Sequence, residues 1–442
     1  MSVMDPKAIL AGQGGRGVPA GAIIAIAASS ACLAGFLGIF LLRGGASFVV
    51  AAILSLITLI PMMAGVLALD RLEPEPMFML VITFLWGAGT STIVSLILEN
   101  YGFAALEPGL GDYSDVAGMV ILAPVIEEIM KGLILFGIFW FRRYEIDGIT
   151  DGIVYAATSA LGFAAAENIV YYIASAAGGT TELAAVFIVR GVMSPFCHPV
   201  FTSMTGVALA LAVRRKTVAA RVFIPIGGLL AAMCLHAFWN GSSLFGISGL
   251  AVALLVVIGV LIGLLVAVFK ERKRTVAQIQ ACAAQYIPTG LVTYSDLIML
   301  SSLNSRKKAR VWARNTYGKS GFEAMRDYQM ACTKLTSLHD RARNHMISRE
   351  YFETQRANLL ALMKVARQAF LGPQYMSVPM MAVPGSAYRP QPQYRPVGPQ
   401  YQPAQPQLWP AQPQYQPVQP QPQYQSPTWP QAPMPPQYPR SY

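Results

Sequence analysis

Eight long apolar runs dominate the chain up to residue 269, at about 18–42, 46–69, 78–98, 118–140, 151–174, 183–213, 222–240 and 249–269. Each approaches the roughly 20 residues that a helix needs to cross the hydrocarbon core of a bilayer. The pattern predicts an all-α fold: a polytopic bundle of about eight transmembrane helices. The first run is long for the apolar core of a signal peptide and lacks a clear cleavage site, so it is expected to be retained as a span. The sixth is overlong and carries Pro195 and Pro199, which predicts a kink or a partly re-entrant segment.

Beyond residue 269 the pattern changes. Residues 270–372 read as a basic cytoplasmic helical region, with amphipathic helices expected over 296–303 and 349–370. Residues 373–442 are dominated by Pro, Gln and Tyr, with too few aliphatic side chains to build a core, so disorder is expected there. Residues 1–17 form a short polar segment. The expected domains are thus 1–17, a membrane domain over 18–269, the basic region and the tail.

Composition sharpens this picture. Of 442 residues, 54% are hydrophobic and 12% charged, which excludes a soluble enzyme with a single anchor. The net charge of +11 is unevenly placed: residues 1–269 hold 12 basic and 15 acidic groups, and residues 270–372 hold 18 and 7. A basic segment beside the membrane is drawn to anionic lipid of the bilayer, and nothing beyond charge supports a nucleic-acid partner. Arg71, Arg142, Arg143, Arg214, Arg215, Lys216 and Arg221 fall after the second, fourth and sixth runs. The loops after the third, fifth and seventh hold no Lys or Arg. A multi-pass cell-membrane protein with both termini cytoplasmic follows. The five cysteines form no CxxC pair, so neither a disulfide framework nor a thiolate metal site is suggested.

The candidate chemistry lies inside the apolar runs. Glu127, Glu128 and Lys131 occupy the fourth, where each charge costs roughly 2.5–3.5 kcal/mol to insert at the centre of a span. Glu127 and Lys131 share a helix face and Glu128 points about 100° away. The lysine is therefore expected to offset one carboxylate and leave the other free to meet another helix. Glu167 and Asn168 lie in the fifth run. His198, Thr202 and Gly206 follow one face of the sixth, and His236 and Asn240 share a face of the seventh. Counted from the cytoplasmic ends, Glu127, Glu128, Glu167, His198 and His236 all lie roughly 18–24 Å deep at 1.5 Å per residue. A carboxylate there can act as general base on water, with a second carboxylate or an imidazole holding the reacting group. Two His with one or two Glu also make a plausible Zn²⁺ set. Thr202 and Asn240 could orient the histidines or donate to an oxyanion. Taken singly, each residue has a structural reading: an interhelical hydrogen bond for a histidine, packing for Phe163 and Gly206, charge balance for Arg190, and a small buried hydrophobe for Cys197.

Glu127-Glu128-x-x-Lys131, Phe163-x-x-x-Glu167-Asn168, His198 and His236-x-x-x-Asn240, in this order on successive runs, resemble the PrsW family of intramembrane proteases. That family is similar to the CAAX prenyl protease and bacteriocin-processing superfamily. The resemblance covers roughly residues 20–269, with Asn240 standing where some members have Asp. It implies an intramembrane endopeptidase acting on a membrane-associated protein, such as an anti-sigma factor. Carried over residue by residue, it implies catalytic roles for Glu127, Glu128, Glu167, His198, His236 and Asn240, and Glu128, Glu167, His198 and His236 as ligands if a metal is used. Two other classes fit the same polar residues: a proton-coupled transporter, though no internal repeat or pair of broken helices is evident, and an inactive membrane scaffold presenting the tail.

Overall fold

The structure, a computed structural model, describes residues 20–371 except His345. The expected segment 1–17 and the Pro/Gln/Tyr tail lie outside the described residues. Those described form helices and connecting turns, with no strand among them. Helices α1 (Ala20–Gly44) and α2 (Ala46–Leu69) lead into α3 (Met77–Leu110), which contains a wide π-helical turn over Trp86–Ser91. Next come α4 (Ala123–Phe141), α5 (Ile149–Ala176), α6 (Thr180–Phe187), α7 (Cys197–Val213), α8 (Val218–Ser242) and α9 (Gly246–Ala284). Helices α10 (Tyr294–Leu300), α11 (Leu303–Arg343) and α12 (Arg349–Leu371) complete the described chain.

Six stretches are long and apolar enough to cross a membrane, where the hydropathy pattern suggests eight. The difference has two physical sources. Helix α4 carries Glu127, Glu128 and Lys131, three charges that lower its apolarity. The stretch Val218–Ala284 contains both α8 and α9, divided by a tight turn at Ser243–Phe245 and by Gly246 at φ 64°, a backbone region that favours glycine. The overlong sixth run does break: the chain leaves helical geometry at Ser194 (φ −126°, ψ 28°) and resumes as α7 at Cys197, just after Pro195. Helix α9 runs on to Ala284, well past the apolar run that ends near residue 269, and so continues into the basic stretch of the sequence.

Helix α5 is the centre of the bundle, with buried residues all round from Asp151 to Ala164. Small residues let its neighbours come close, as packing without a strong hydrophobic drive requires. Where α5 crosses α7, a Cβ on Gly206 would lie 2.0 Å from the Gly152 carbonyl oxygen, and one on Gly152 2.2 Å from that of Gly206. The start of α5 is fixed from α9. Glu271 accepts hydrogen bonds from the Ile149 and Thr150 amides at 2.7 and 2.6 Å, satisfying N–H groups that have no partner within the helix. An apolar core of Leu135, Ile138, Phe139, Val154, Tyr155, Leu161 and Leu209 joins α4, α5 and α7.

The expected amphipathic helices appear as α10, which ends at Leu300, and α12. They pack with α11 around Tyr328, Leu335, Leu359 and Met363, all buried. Thr293 and Asp296 form a reciprocal cap on α10, and Arg367 reaches back to Asp296 at 2.5 Å. The loop between α4 and α5 is held by α11: Asp147 accepts from Arg341 at 2.8 Å and from the Ser337 hydroxyl at 2.7 Å.

Candidate active site

Three helices bring their polar residues to one point. Glu127, Glu128 and Lys131 of α4 are buried, as are Thr202 of α7 and His236 of α8. Lys131 is fully buried, with Nζ 3.1 Å from Glu127 Oε2 and 2.7 Å from Glu128 Oε1. This corrects the expectation that the lysine would offset one carboxylate only: spacings of three and four residues both lie within reach along a helix. Glu128 nevertheless meets other helices. Its Oε1 is 3.1 Å from His236 Nδ1, and its Oε2 accepts from the Thr202 hydroxyl at 2.8 Å.

His198 enters from the start of α7. Its Nε2 is 3.0 Å from Glu167 Oε2 on α5, and its Nδ1 is 3.1 Å from Lys131 Nζ. Glu167 is in turn paired with Arg190, whose Nε donates to Asn168 at 2.8 Å and whose guanidinium lies 3.8 Å over the Tyr171 ring. Phe163 does more than pack, since its ring centroid lies 4.4 Å from the Lys131 ammonium.

A pattern emerges from these distances. Each imidazole gives one nitrogen to a carboxylate: His198 Nε2 to Glu167, and His236 Nδ1 to Glu128. The remaining nitrogens face Glu127 Oε2, at 4.0 Å for His198 Nδ1 and 3.9 Å for His236 Nε2. A carboxylate on one ring nitrogen fixes the tautomer and turns the other lone pair inward, the usual arrangement around histidine metal ligands. The donor set of Glu127, His198 and His236, with ligand atoms within 4.8 Å of one another, therefore fits a divalent metal in kind and number. The expected ligand set differs from this geometry in one respect: Glu128 and Glu167 stand behind the histidines, and Glu127 stands in front.

Asn240 bonds the backbone that precedes α4. Its amide donates to the Met119 carbonyl at 3.0 Å, tying α8 to the turn before α4. It does line a cavity of about 250 Å³ that also reaches His198, Asn168, Arg190, Ser194 and Trp239. Cys197 is buried with no disulfide. Glu99 is not among the residues that the sequence pattern singles out. It sits within α3, close enough to interact electrostatically with Glu127, Glu167 and Lys131, and its buried Oε1 has no hydrogen-bond partner among the described residues. A lone acidic residue near the end of an apolar run was the only signal available.

Fold and site together define a multi-pass helical membrane protein with a buried Glu/His/Lys centre. Residues 75–269 match the model of the PrsW-protease family, described as PrsW family intramembrane metalloprotease, so the resemblance carried by the motifs is borne out over this part of the chain. Two similar curated proteins are each called Protease PrsW. That from Clostridioides difficile (strain 630) is 32% identical over 159 residues, 35% of this chain and 63% of its own length. That from Geobacillus kaustophilus (strain HTA426) is 31% identical over 137 residues, 31% of this chain and 55% of its own length. The chain thus spans between half and two thirds of the relatives it matches. No solved structure matches.

Proposed function

We propose that this chain is an intramembrane endopeptidase that hydrolyses a peptide bond of a membrane-associated protein. The observation that carries this reading is the pair of imidazoles turned toward one carboxylate oxygen, Glu127 Oε2, deep in an apolar bundle. Buried ionisable groups in a membrane domain are costly and usually serve a function. The PrsW match supports the reaction class. A regulatory membrane protein such as an anti-sigma factor is the substrate class that the resemblance suggests.

Glu127, His198 and His236 would hold the metal, which when bound polarises the scissile carbonyl and acidifies water. The chain's own residues do the rest. Glu128 and Glu167 hold the imidazoles in register, with Thr202 and Arg190 holding those carboxylates. The cavity beside His198 receives the peptide, and Asn168, Ser194 and Asn240 offer it hydrogen bonds. A second reading is favoured by Lys131, whose ammonium touches both Glu127 and His198: a glutamate-activated water without metal. In that reading Glu127 takes the proton from water as the oxygen attacks the carbonyl carbon, then returns it to the amine as the C–N bond breaks. Loop charges support both termini on the cytoplasmic side, with residues 18–269 as the catalytic membrane domain and 270–372 as a cytoplasmic region.

The test is cleavage of a membrane-peptide library by the protein in lipid nanodiscs, with bound zinc measured alongside. Glu127→Gln and His236→Ala should abolish cleavage. Cleavage that persists after loss of both Glu127 and Glu128 would overturn the proposal, and pH-gradient-driven uptake without any cleavage would favour a transporter.

A further inference from the structure

Lys131 stands where a metal would be held. Its Nζ lies 3.1 Å from both Glu127 Oε2 and His198 Nδ1, two of the three candidate donor atoms. A zinc ion sits about 2.0–2.2 Å from such oxygen and nitrogen ligands, so an ammonium at hydrogen-bond distance from the same pair fills the same space. His198 has no second nitrogen to offer, because Nε2 is held by Glu167 at 3.0 Å, and one lone pair on Nδ1 serves one acceptor role at a time. The ammonium has somewhere else to go. Glu128 Oε1 is 2.7 Å away and the Phe163 ring face 4.4 Å away.

We propose that Lys131 is an internal competitor for the metal. The ammonium and a divalent cation alternate at Glu127 and His198, and the arriving cation turns Lys131 onto Glu128 and Phe163. This rests on the metal-bound reading of the site. In the metal-free protein the lysine keeps two adjacent buried carboxylates from standing unpaired, a state that is strongly destabilising. The bundle can therefore fold before a metal arrives, and metal affinity is reduced by the work of displacing the ammonium.

The experiment measures zinc affinity by competition with a chromophoric chelator, on the full chain in nanodiscs, and records melting with and without zinc. Lys131→Met should bind zinc at least tenfold more tightly than wild type. It should also melt lower than wild type without zinc and regain stability when zinc is added. Arg190→Gln removes a positive charge from the same cluster without freeing a donor atom facing Glu127, and because Arg190 holds Glu167 behind His198, its affinity should stay level or fall. Unchanged or weaker binding by Lys131→Met overturns the proposal, as does an equal gain in Arg190→Gln, which would make the effect one of charge alone. Should Lys131→Met fail to fold without metal, Lys131→Gln, which keeps a donor toward Glu128, is read in the same way. Cleavage of a membrane peptide by wild type is followed in parallel. Tighter zinc in the variant with no wild-type cleavage sinks the peptidase reading and leaves the competitor. Cleavage with no zinc bound by either protein does the reverse.

Discussion

The Nε2 atom of His198 lies 3.0 Å from Oε2 of Glu167, so a carboxylate on α5 decides which nitrogen of an imidazole on α7 faces Glu127. On the proposed reading of the site, Glu167 positions His198 and does not itself touch the reacting atoms. Replacing such a partner usually costs 10–100-fold in activity or metal affinity. Glu167→Gln is expected to lower kcat/KM for membrane-peptide cleavage by that factor and to leave a folded protein, measured by steady-state kinetics and circular dichroism. An unchanged rate would remove Glu167 from the arrangement.

Glu127 and Glu128 are adjacent in sequence, and the structure gives them different surroundings. Glu128 is fixed on both oxygens, by Lys131 and His236 on one and by Thr202 on the other. Glu127 touches Lys131 and otherwise faces the two inward nitrogens. Glu127→Gln should therefore abolish cleavage with a modest loss of stability. Glu128→Gln removes the centre of a buried network, and breaking a buried ion pair costs about 3–5 kcal/mol. Thermal unfolding in detergent should show the larger drop for Glu128→Gln, with cleavage lost in both. Equal melting temperatures would contradict this division.

Much of the site was legible in the sequence because charges in apolar runs are conspicuous, and because helical periodicity and depth are both countable. Glu127, Glu128, Glu167, His198 and His236 do converge. Partner choice was not legible, because it depends on helix rotation and side-chain reach. Lys131 meets both glutamates and His198, Asn240 bonds the Met119 carbonyl instead of a histidine, and Phe163 lies against an ammonium. Glu99 was missed for a related reason, since a carboxylate near the end of an apolar run resembles any residue at a membrane boundary. The span count differs from six for a physical reason as well: α4, which holds Glu127, Glu128 and Lys131, is a helix that apolarity alone does not count.

The crossing of α5 and α7 sets the distance between Glu167 and His198, and it depends on two glycines in contact. A Cβ on Gly206 would meet the Gly152 oxygen at 2.0 Å, and backbone cannot give way as a flexible side chain can. Gly206→Ala should push the helices apart. The expected cost is about 1–3 kcal/mol, as for overpacking in a tight core, with cleavage reduced although the change lies away from the reacting groups. Melting temperature and kcat of the purified variant check both parts. A neutral result would mean that the close contact is dispensable.

The end of the bundle beside α11 carries a pH dependence whose sign can be worked out. Asp70 is buried and accepts from the Glu75 amide at 2.8 Å. Burial, only partly offset by that bond and by Lys334, pushes it up to about 7. Burial, reinforced by the charge of Asp147, likewise pushes Glu73 up to about 7. A carboxyl with a pKa raised on folding takes up a proton in the folded state that the unfolded chain does not hold, so stability rises as pH falls through about 7. Asp147 shifts the other way: burial is outweighed by Arg341 and Ser337, its pKa is lowered, and its contribution is lost only in more acidic solution. His339 opposes the trend at lower pH. Burial and the charge of Arg356 push it down to about 4, so below about 6.5 the unfolded chain gains the proton first. The clean window is therefore pH 8 to 6.5, across which each raised carboxyl contributes about 0.8 kcal/mol. Melting temperature should rise across this window as pH is lowered. Asp70→Asn can keep the bond from the Glu75 amide while removing the buried charge, so it should raise the melting temperature at pH 8 and remove part of the rise. A variant that melts like wild type at both pH values would show that Asp70 ionises as readily folded as unfolded.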